Sequence, residues 1–255
     1  PYIPTKSKLV RSEIYGAPEL VSNIEPAILD KKDARYIHAT TPLWEGVRKH
    51  GQPTIDFDPG LVEKVGEAYW DGWLQHLKPL VADPGLLTDE QAVIGLKYNH
   101  YTPMDLKTSA GYPYSLDKNR TTKESYIRVI RDANLEAIGV EWMDPELIRV
   151  LEEKRELRSM GVVPHTLFID TLKDEKRKIE KARSLGGTRV FCSSPMDYVI
   201  DCREYFLHFV AAFMDQRMNL MHSVGINPTS EEWTRLTNKL LVKNSRFCTI
   251  DYSNF

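Results

Sequence analysis

Apolar residues recur at helical spacing in five stretches of the chain. The longest stretch begins at Ser194-Pro195 and continues to Phe213, which predicts about six turns with one wide apolar face. A face of this width indicates that the helix is buried on that side. The other four predicted helices run from Asp58-Pro59-Gly60 to about Leu77, from Thr122 to about Asn134, from Asp144-Pro145-Glu146 to Gly161, and from Thr229, with Glu232 completing a capping box, to Leu240.

Three runs of β-forming residues predict strands. Residues 166–172 and 188–192 are rich in β-branched and aromatic side chains, and a basic connection joins them, so we expect a strand pair. Residues 247–250 predict a buried strand that ends at Asp251. Together with the helices, these strands indicate an α+β fold.

Two segments carry few periodic apolar stretches. Residues 1–60 are rich in proline and predict an extended arm that leans on another part of the molecule for its stability. Residues 100–120 are rich in Thr, Ser, Gly, Pro and Asn and predict a loop.

Composition and charge exclude several classes of protein. The 255 residues are 42% hydrophobic and 27% charged, which predicts an ordinary folded protein, and the net charge of -2 requires any nucleic-acid surface to be a local patch. No apolar run is long enough to span a membrane, so we expect a soluble protein. The cysteines form no C-x-x-C pair, and the seven histidines show no metal-ligand spacing, which argues against a structural zinc site and a disulfide framework.

A basic cluster lies between the two paired strands. Such a cluster can bind a polyanion such as a triphosphate, because Arg gives bidentate contacts and Lys gives point charges. The alternative is a solvated, salt-bridged surface loop. The seven basic residues are Lys173, Lys176, Arg177, Lys178, Lys181, Arg183 and Arg189, interspersed with Asp174, Glu175 and Glu180.

Two further segments are candidates for chemistry. Thr108-Ser109-Ala110-Gly111-Tyr112-Pro113-Tyr114 combines small residues with aromatic rings, so a phosphate backbone could approach closely while the rings stack on bases. A tight turn with two packed tyrosines is the alternative. Asp251 follows a predicted strand, where a carboxylate can hold Mg²⁺, although most aspartates at strand ends only begin turns.

Taken in order, these three segments resemble motifs G, F and A of picornavirus-like RNA-dependent RNA polymerases. The sequence as a whole resembles the polymerases of insect iflaviruses or dicistroviruses more than those of mammalian picornaviruses. The motif G resemblance lies in 108–114, that of motif F in Lys173-Asp174-Glu175-Lys176-Arg177 through Thr188-Arg189-Val190, and that of motif A in Ile250-Asp251-Tyr252-Ser253-Asn254-Phe255. Supporting similarities are Thr5-Lys6-Ser7-Lys8-Leu9 and Val224-Gly225-Ile226-Asn227-Pro228.

The resemblance implies roles for particular residues. Lys173, Arg177, Lys181 and Arg189 would face the incoming triphosphate, with Arg189 as the first choice for a contact. The family commonly has Gly-Lys-Ser/Thr-Arg where this chain has Gly186-Gly187-Thr188-Arg189, so the alignment of Lys181 is the least secure. In motif G, the residues that would line the path of the template strand are Thr108, Ser109, Ala110, Gly111 and Tyr112.

For motif A, the resemblance implies a catalytic Asp251 that binds Mg²⁺ or Mn²⁺, with the peptide carbonyl of Tyr252 as a further ligand. The implied architecture is part of a right-hand polymerase: an arm or index finger at 1–60, fingers at 61–193 with motif F at 173–191, and the start of the palm at 194–255. Because motif C and a thumb are not found in the sequence, we expect the isolated chain to be inactive.

The implied partners are template and product RNA and ribonucleoside triphosphates, with a viral protein primer and other replication proteins as further candidates. The implied location is the host cytoplasm, in membrane-associated replication complexes. Three alternatives stay open on sequence grounds: a non-catalytic RNA-binding module, an unrelated metal-dependent phosphotransferase built around Asp251, and a structural domain whose basic loop faces solvent.

Overall fold

The structure is a computed structural model that describes residues 7–10, 12–14, 17, 22–53, 56–242, 246 and 248–250. These residues belong to two compact units. The first unit takes its residues from 1–55 and 167–194, and the second from 56–166 and 195–253. Both units combine helices with two-stranded antiparallel sheets, which confirms the α+β class. The assignment of 1–60, 61–193 and 194–255 to arm, fingers and palm stays a prediction.

The first unit is built from two strand pairs. β4 (Ile169–Leu172) pairs antiparallel with β6 (Val190–Ser193), as predicted, and β1 (Ile24–Pro26) pairs antiparallel with β5 (Lys176–Lys178). Helix α1 (Pro42–Arg48) packs on β4 and β6, and the short helix α5 (Ile179–Arg183) follows β5 directly. The proline-rich arm is therefore supported, at β1, by pairing with the basic segment.

The second unit holds the larger core. Its elements are α2 (Pro59–Gly72), α3 (Asp89–Ile94), β2 (Ile127–Arg131), β3 (Ala137–Trp142), α4 (Pro145–Ser159), α6 (Met196–Asp215) and α7 (Glu231–Leu241). α3 and α4 both pack on α6. The residues that meet in this core include Ala92, Val93, Ile127, Val140, Leu147, Leu151, Met196 and Ile200.

Three predicted helices are confirmed together with their boundary signals. Asp58 caps α2, since its carboxylate accepts the N–H groups of Gly60 and Leu61 at 2.8 and 3.2 Å, although a 3-10 turn replaces the helix after Gly72. Asp144 caps α4 in the same way. α6 begins directly after Pro195 and spans 20 residues. The expected loop at 100–120 is also present, apart from one 3-10 turn.

One predicted helix, 122–134, is wrong. A 3-10 turn at Lys123–Ser125 leads into β2, which forms a hairpin with β3. Ile127 and Val129 alternate with Arg128 in the first part of β2, and they lie opposite Trp142 and Val140 of β3. The carboxylate of Asp132 then accepts two backbone N–H groups in the turn. This two-residue alternation and the turn-forming Asp favour a hairpin over a helix.

Two smaller expectations are also corrected. The cap of α7 is Ser230, whose hydroxyl accepts the N–H of Glu232 at 3.2 Å, because the Thr229 hydroxyl is already bonded to the side chain of Asn227.

The predicted strand at 247–250 is wrong where it can be described: residues 248–250 form no strand, and Ile250 is 71% exposed. Strands form by pairing, and no described segment pairs with these residues. Phe247 and Asp251 lie outside the described residues.

None of the described helices combines the length with the apolar character needed to cross a membrane.

Candidate nucleotide and RNA interface

The basic cluster is carried by the strand pair of the first unit. The backbone N–H of Lys173 donates to the carbonyl of Arg189 at 2.9 Å, which extends the β4–β6 ladder by one step. This pairing sets Lys173 and Arg189 opposite each other, although 16 positions separate them in the chain. Both side chains are exposed. The ladder therefore brings together two of the predicted triphosphate contacts.

A single carboxylate, that of Glu175, collects three of the four predicted cations. Arg189 binds it through two guanidinium nitrogens, with Nε at 2.6 Å from Oε1. Arg177 Nη1 lies 3.4 Å from Oε1, and Lys173 Nζ lies 3.7 Å from Oε2. The hydrogen bond from Arg189 is the main reason that the pKa of Glu175 is lowered. The same bond raises the pKa of Arg189.

Lys181 does not join this cluster. It lies on α5, it is exposed, and it forms no ion pair with any described residue. Among the four predicted triphosphate contacts, Lys181 is also the one whose alignment with the family is least secure. Its role stays a prediction.

A glycine pair shapes the return from α5 to β6. Gly186 has a φ of 63°, in the left-handed region that disfavours a side chain. A Cβ on Gly187 would overlap the carbonyl oxygen of Lys181. After the two glycines, Thr188 is buried and donates its hydroxyl to the carbonyl of Ile28 at 2.7 Å. Gly186-Gly187, where the family commonly has Gly-Lys, thus form a tight turn. This turn places Arg189 directly before β6.

The arm holds the basic segment in several places. Glu25 receives two hydrogen bonds from Arg183, both at 3.0 Å, and the N–H of Ala27 donates to the carbonyl of Glu175 at 2.9 Å. The carboxylate of Asp174 accepts the Ser7 hydroxyl at 2.7 Å and the Lys8 N–H at 2.6 Å. Sequence reasoning missed these acidic partners. The only available signal was that acids alternate with the cations in 173–180.

The loop 108–112 lies in the second unit, where it is bound on its inner side. Ala110 is fully buried, its N–H donates to the carbonyl of Thr121, and its own carbonyl accepts the N–H of Met196, each at 2.9 Å. Gly111 has a φ of 74°, which explains the glycine at this position. The predicted template residues therefore share one loop, whose exposed members are Thr108, Ser109 and Tyr112.

The two tyrosines of this loop differ in their environment. Tyr112 is exposed, whereas Tyr114 is buried against Tyr126, with the ring centroids 5.5 Å apart in an edge-on arrangement. The Tyr126 hydroxyl donates to the Tyr114 carbonyl at 2.8 Å. Burial, and secondarily the negative charge of Asp197, raises the pKa of Tyr114. Tyr114 is thus a packing residue, whereas Tyr112 is exposed and its predicted contact with the template stays a prediction.

One residue that sequence reasoning missed, Lys123, lies beneath this loop. Its ammonium donates to the Thr108 hydroxyl and, at 2.8 Å, to the Ser109 carbonyl. No sequence pattern marks Lys123, because the burial of a lysine is a property of the tertiary structure.

The predicted metal ligands Asp251 and Tyr252 lie outside the described residues. Within the described part of the chain, no three His, Cys, Asp or Glu side chains are grouped so that they could hold a metal ion.

The described part of the chain thus presents an exposed basic cluster on the first unit and, on the second, a glycine loop with two hydroxyl-bearing residues. A family model described as viral RNA-dependent RNA polymerase matches residues 18–255. The chain belongs to the viral RNA-dependent RNA polymerase family, as the resemblance implied.

Individual relatives agree with this assignment. The chain is 32% identical over 235 residues to the genome polyprotein of Deformed wing virus, and 28% identical over 254 residues to the replicase polyprotein of Drosophila C virus (strain EB). These alignments cover 91% and 98% of this chain but only 8% and 14% of the polyproteins.

A solved structure described as Sicinivirus 3Dpol RNA dependent RNA polymerase superposes with a TM-score of 0.70 at 26% identity. The match covers 95% of this chain and 45% of that one, so the chain spans less than half of its structural relative. The expected right-hand polymerase fold is confirmed by this match.

Proposed function

We propose that this chain forms the fingers and the start of the palm of a viral polymerase that adds ribonucleotides to an RNA 3′ end under the direction of a template. The observation that carries the proposal is the convergence of Lys173, Arg177 and Arg189 on one partly exposed carboxylate. Three cations around one acid leave a surplus of positive charge. Such a surplus is what a triphosphate requires.

In this proposal Glu175 occupies the anion site in the absence of nucleotide. A triphosphate carries more charge and more acceptor oxygens than one carboxylate, so it competes for the exposed guanidinium of Arg189. The cations then stabilise the charge that develops on the phosphates and on the departing pyrophosphate. The backbone bond between Lys173 and Arg189 fixes where the two side chains begin, so that both start on neighbouring strands when the nucleotide binds.

The loop 108–112 binds the template strand in this proposal. The Ser109 Oγ accepts the N–H of Gly111 at 3.2 Å, and within the described residues its own proton is donated to no acceptor. An exposed hydroxyl with a free proton suits a phosphate oxygen. Tyr112 supplies a ring on which a base can stack.

Asp251 and the carbonyl of Tyr252 would hold the divalent cation in this proposal. When bound, Mg²⁺ or Mn²⁺ would activate the primer 3′-hydroxyl and neutralise phosphate charge. The isolated chain is expected to be inactive, because one carboxylate cannot assemble a two-metal site. A protein primer and membrane-associated replication complexes in the host cytoplasm are the proposed context.

Primer extension on an RNA hairpin tests the proposal, using the longer polymerase that contains this chain. We expect Asp251→Ala to abolish extension and Arg189→Gln to lower kcat/KM for nucleotides by about 100-fold. The matched control is Arg149→Gln, which removes an exposed arginine that is also paired with glutamates. RNA binding without extension by the unmutated enzyme, or full activity of Asp251→Ala, would favour a non-catalytic RNA-binding module instead.

A further inference from the structure

Lys123 is an unusual lysine, because only 7% of its surface is exposed. Lysines are almost never fully buried unless their ammonium has partners. Here the partners are two oxygens of the loop 108–112: the Thr108 hydroxyl and the Ser109 carbonyl. Both acceptors are neutral, so this contact is not an ion pair. Burial lowers the pKa of Lys123, and Asp105 opposes this effect in part.

The backbone around Lys123 reinforces this contact. Its N–H donates to the Thr108 carbonyl at 3.1 Å, and Thr122 forms a β-bridge with Ser109. The Thr108 hydroxyl in turn donates to the Asp105 carbonyl at 2.8 Å. Both the donor and the acceptor function of this hydroxyl are therefore used. The loop and the segment that contains Lys123 form one hydrogen-bonded substructure.

The direction of these bonds has an electrostatic consequence. Lys123 donates to two acceptor oxygens of the loop, and its positive charge offsets the negative partial charge that they carry. The exposed side of the loop keeps the Ser109 hydroxyl, which can donate. A phosphate oxygen is an acceptor only, so it meets a donor and is not repelled by the two oxygens.

We propose that Lys123 is a positioning residue for template RNA: it holds the loop 108–112 in its RNA-binding shape from beneath, without touching the RNA. This inference rests on the template role proposed above for the loop. It separates Lys123 from an ordinary basic residue of a nucleic-acid surface, which would act by binding a phosphate directly.

The salt dependence of RNA binding distinguishes the two kinds of lysine. Each phosphate contact to a single strand contributes about 0.7 to the slope of log K against log salt concentration. A buried ammonium that makes no contact contributes nothing to this slope. We therefore expect Lys123→Met to weaken the binding of single-stranded template by about ten-fold, a loss of about 1.4 kcal/mol, while the slope stays that of the unmutated enzyme.

The experiment measures the affinity for a fluorescent single-stranded RNA at several salt concentrations, with the longer polymerase that contains this chain. Lys118→Met is the matched variant, since it removes an exposed ammonium from the same segment and calibrates the effect of a lost surface charge. The KM for nucleotide at saturating template is the second readout, and we expect Lys123→Met to leave it within about two-fold.

Unchanged template affinity in a folded Lys123→Met protein would overturn the inference. So would a loss of affinity accompanied by a slope lower by about 0.7, because Lys123 would then bind a phosphate itself. If Lys123→Met does not fold, Lys123→Arg and Lys123→Gln replace it. We expect the arginine variant, which keeps the charge and the donors, to bind template more tightly than the glutamine variant, and equal affinities would contradict the inference.

Gly111→Ala separates this inference from the proposed function. Its φ of 74° makes alanine strained there, so the variant distorts the loop independently of Lys123. Weaker template binding by Gly111→Ala, with normal binding by Lys123→Met, overturns only the role of Lys123. Normal binding by both variants overturns the template role of the loop, and the role of Lys123 with it.

Discussion

The two candidate interfaces use positive charge in opposite ways. In the first unit, exposed cations surround the carboxylate of Glu175, and each can exchange that partner for another anion. In the second unit, the ammonium of Lys123 is buried and bonded to neutral oxygens. The first arrangement is suited to binding a ligand that arrives and leaves. The second is suited to holding a shape. A basic residue near a nucleic-acid site can therefore be read as a contact or as a support only from its burial and its partners.

Breaking the turn that carries Arg189 tests the first arrangement most severely. In Gly187→Ala the new Cβ overlaps the carbonyl of Lys181, so the return to β6 has to move. We expect a loss of about 2 kcal/mol in the free energy of unfolding, measured by urea titration, together with weaker nucleotide binding and unchanged template binding.

Gly51→Ala is the matched control in the same unit, because a Cβ there meets no atom within 4 Å. We expect its stability to stay within about 0.5 kcal/mol of the unmutated protein. Equal stabilities of the two alanine variants would show that the turn is not as tight as described.

Removing the carboxylate of Glu175 tests whether the cations of the first unit can exchange their partner. Glu175→Gln leaves Lys173, Arg177 and Arg189 without their shared carboxylate, so a polyanion no longer has to displace it. We expect the affinity for inorganic tripolyphosphate to rise by about five-fold, measured by calorimetry, since exposed ion pairs contribute up to about 1 kcal/mol. Glu153→Gln, on α4, is the control for the loss of an exposed, arginine-paired glutamate. A lower affinity in Glu175→Gln would mean that Glu175 positions the cations more than it competes for them.

The smallest expected effect is a dependence of thermal stability on pH. The pKa of Glu175 is lowered in the folded protein from its usual 4.5, mainly by Arg189. The ion pairs therefore stabilise the folded state above about pH 4.5, and this contribution is lost as the pH falls through the lower, folded-state pKa. The difference in Tm between the unmutated protein and Glu175→Gln should be constant from about pH 7 to 5 and shrink towards pH 3. A difference that persists unchanged at about pH 3 would contradict this assignment.

Local signals explain which features could be predicted. The strand pair 166–172 and 188–192 was predictable because two β-forming runs flank a basic connection, and Asp58 and Asp144 marked their helices as caps. The hairpin of β2 and β3 was not, because Ile127 and Ile130 are three residues apart, a spacing that also fits one face of a helix.

The partners of the site residues were beyond the reach of the sequence. Glu175 looked like one acid among many, since its role depends on the pairing of Lys173 with Arg189 across two strands. The support from Lys123 depends on burial, which arises only when the loop 108–112 has folded against it. The motif residues were therefore predictable, and the groups that hold or neutralise them were not.

The first unit can form only late in synthesis, because it combines segments that are far apart in the chain. Its bond between Glu25 and Arg183 joins residues that are 158 positions apart, and Ser7 and Asp174 are 167 apart. At a synthesis rate of about 5–20 residues per second, the arm would leave the ribosome roughly 8 to 33 seconds before its partner segment. During that interval β1 has no strand to pair with, so this part of the arm can acquire its native pairing only after β5 has been synthesised.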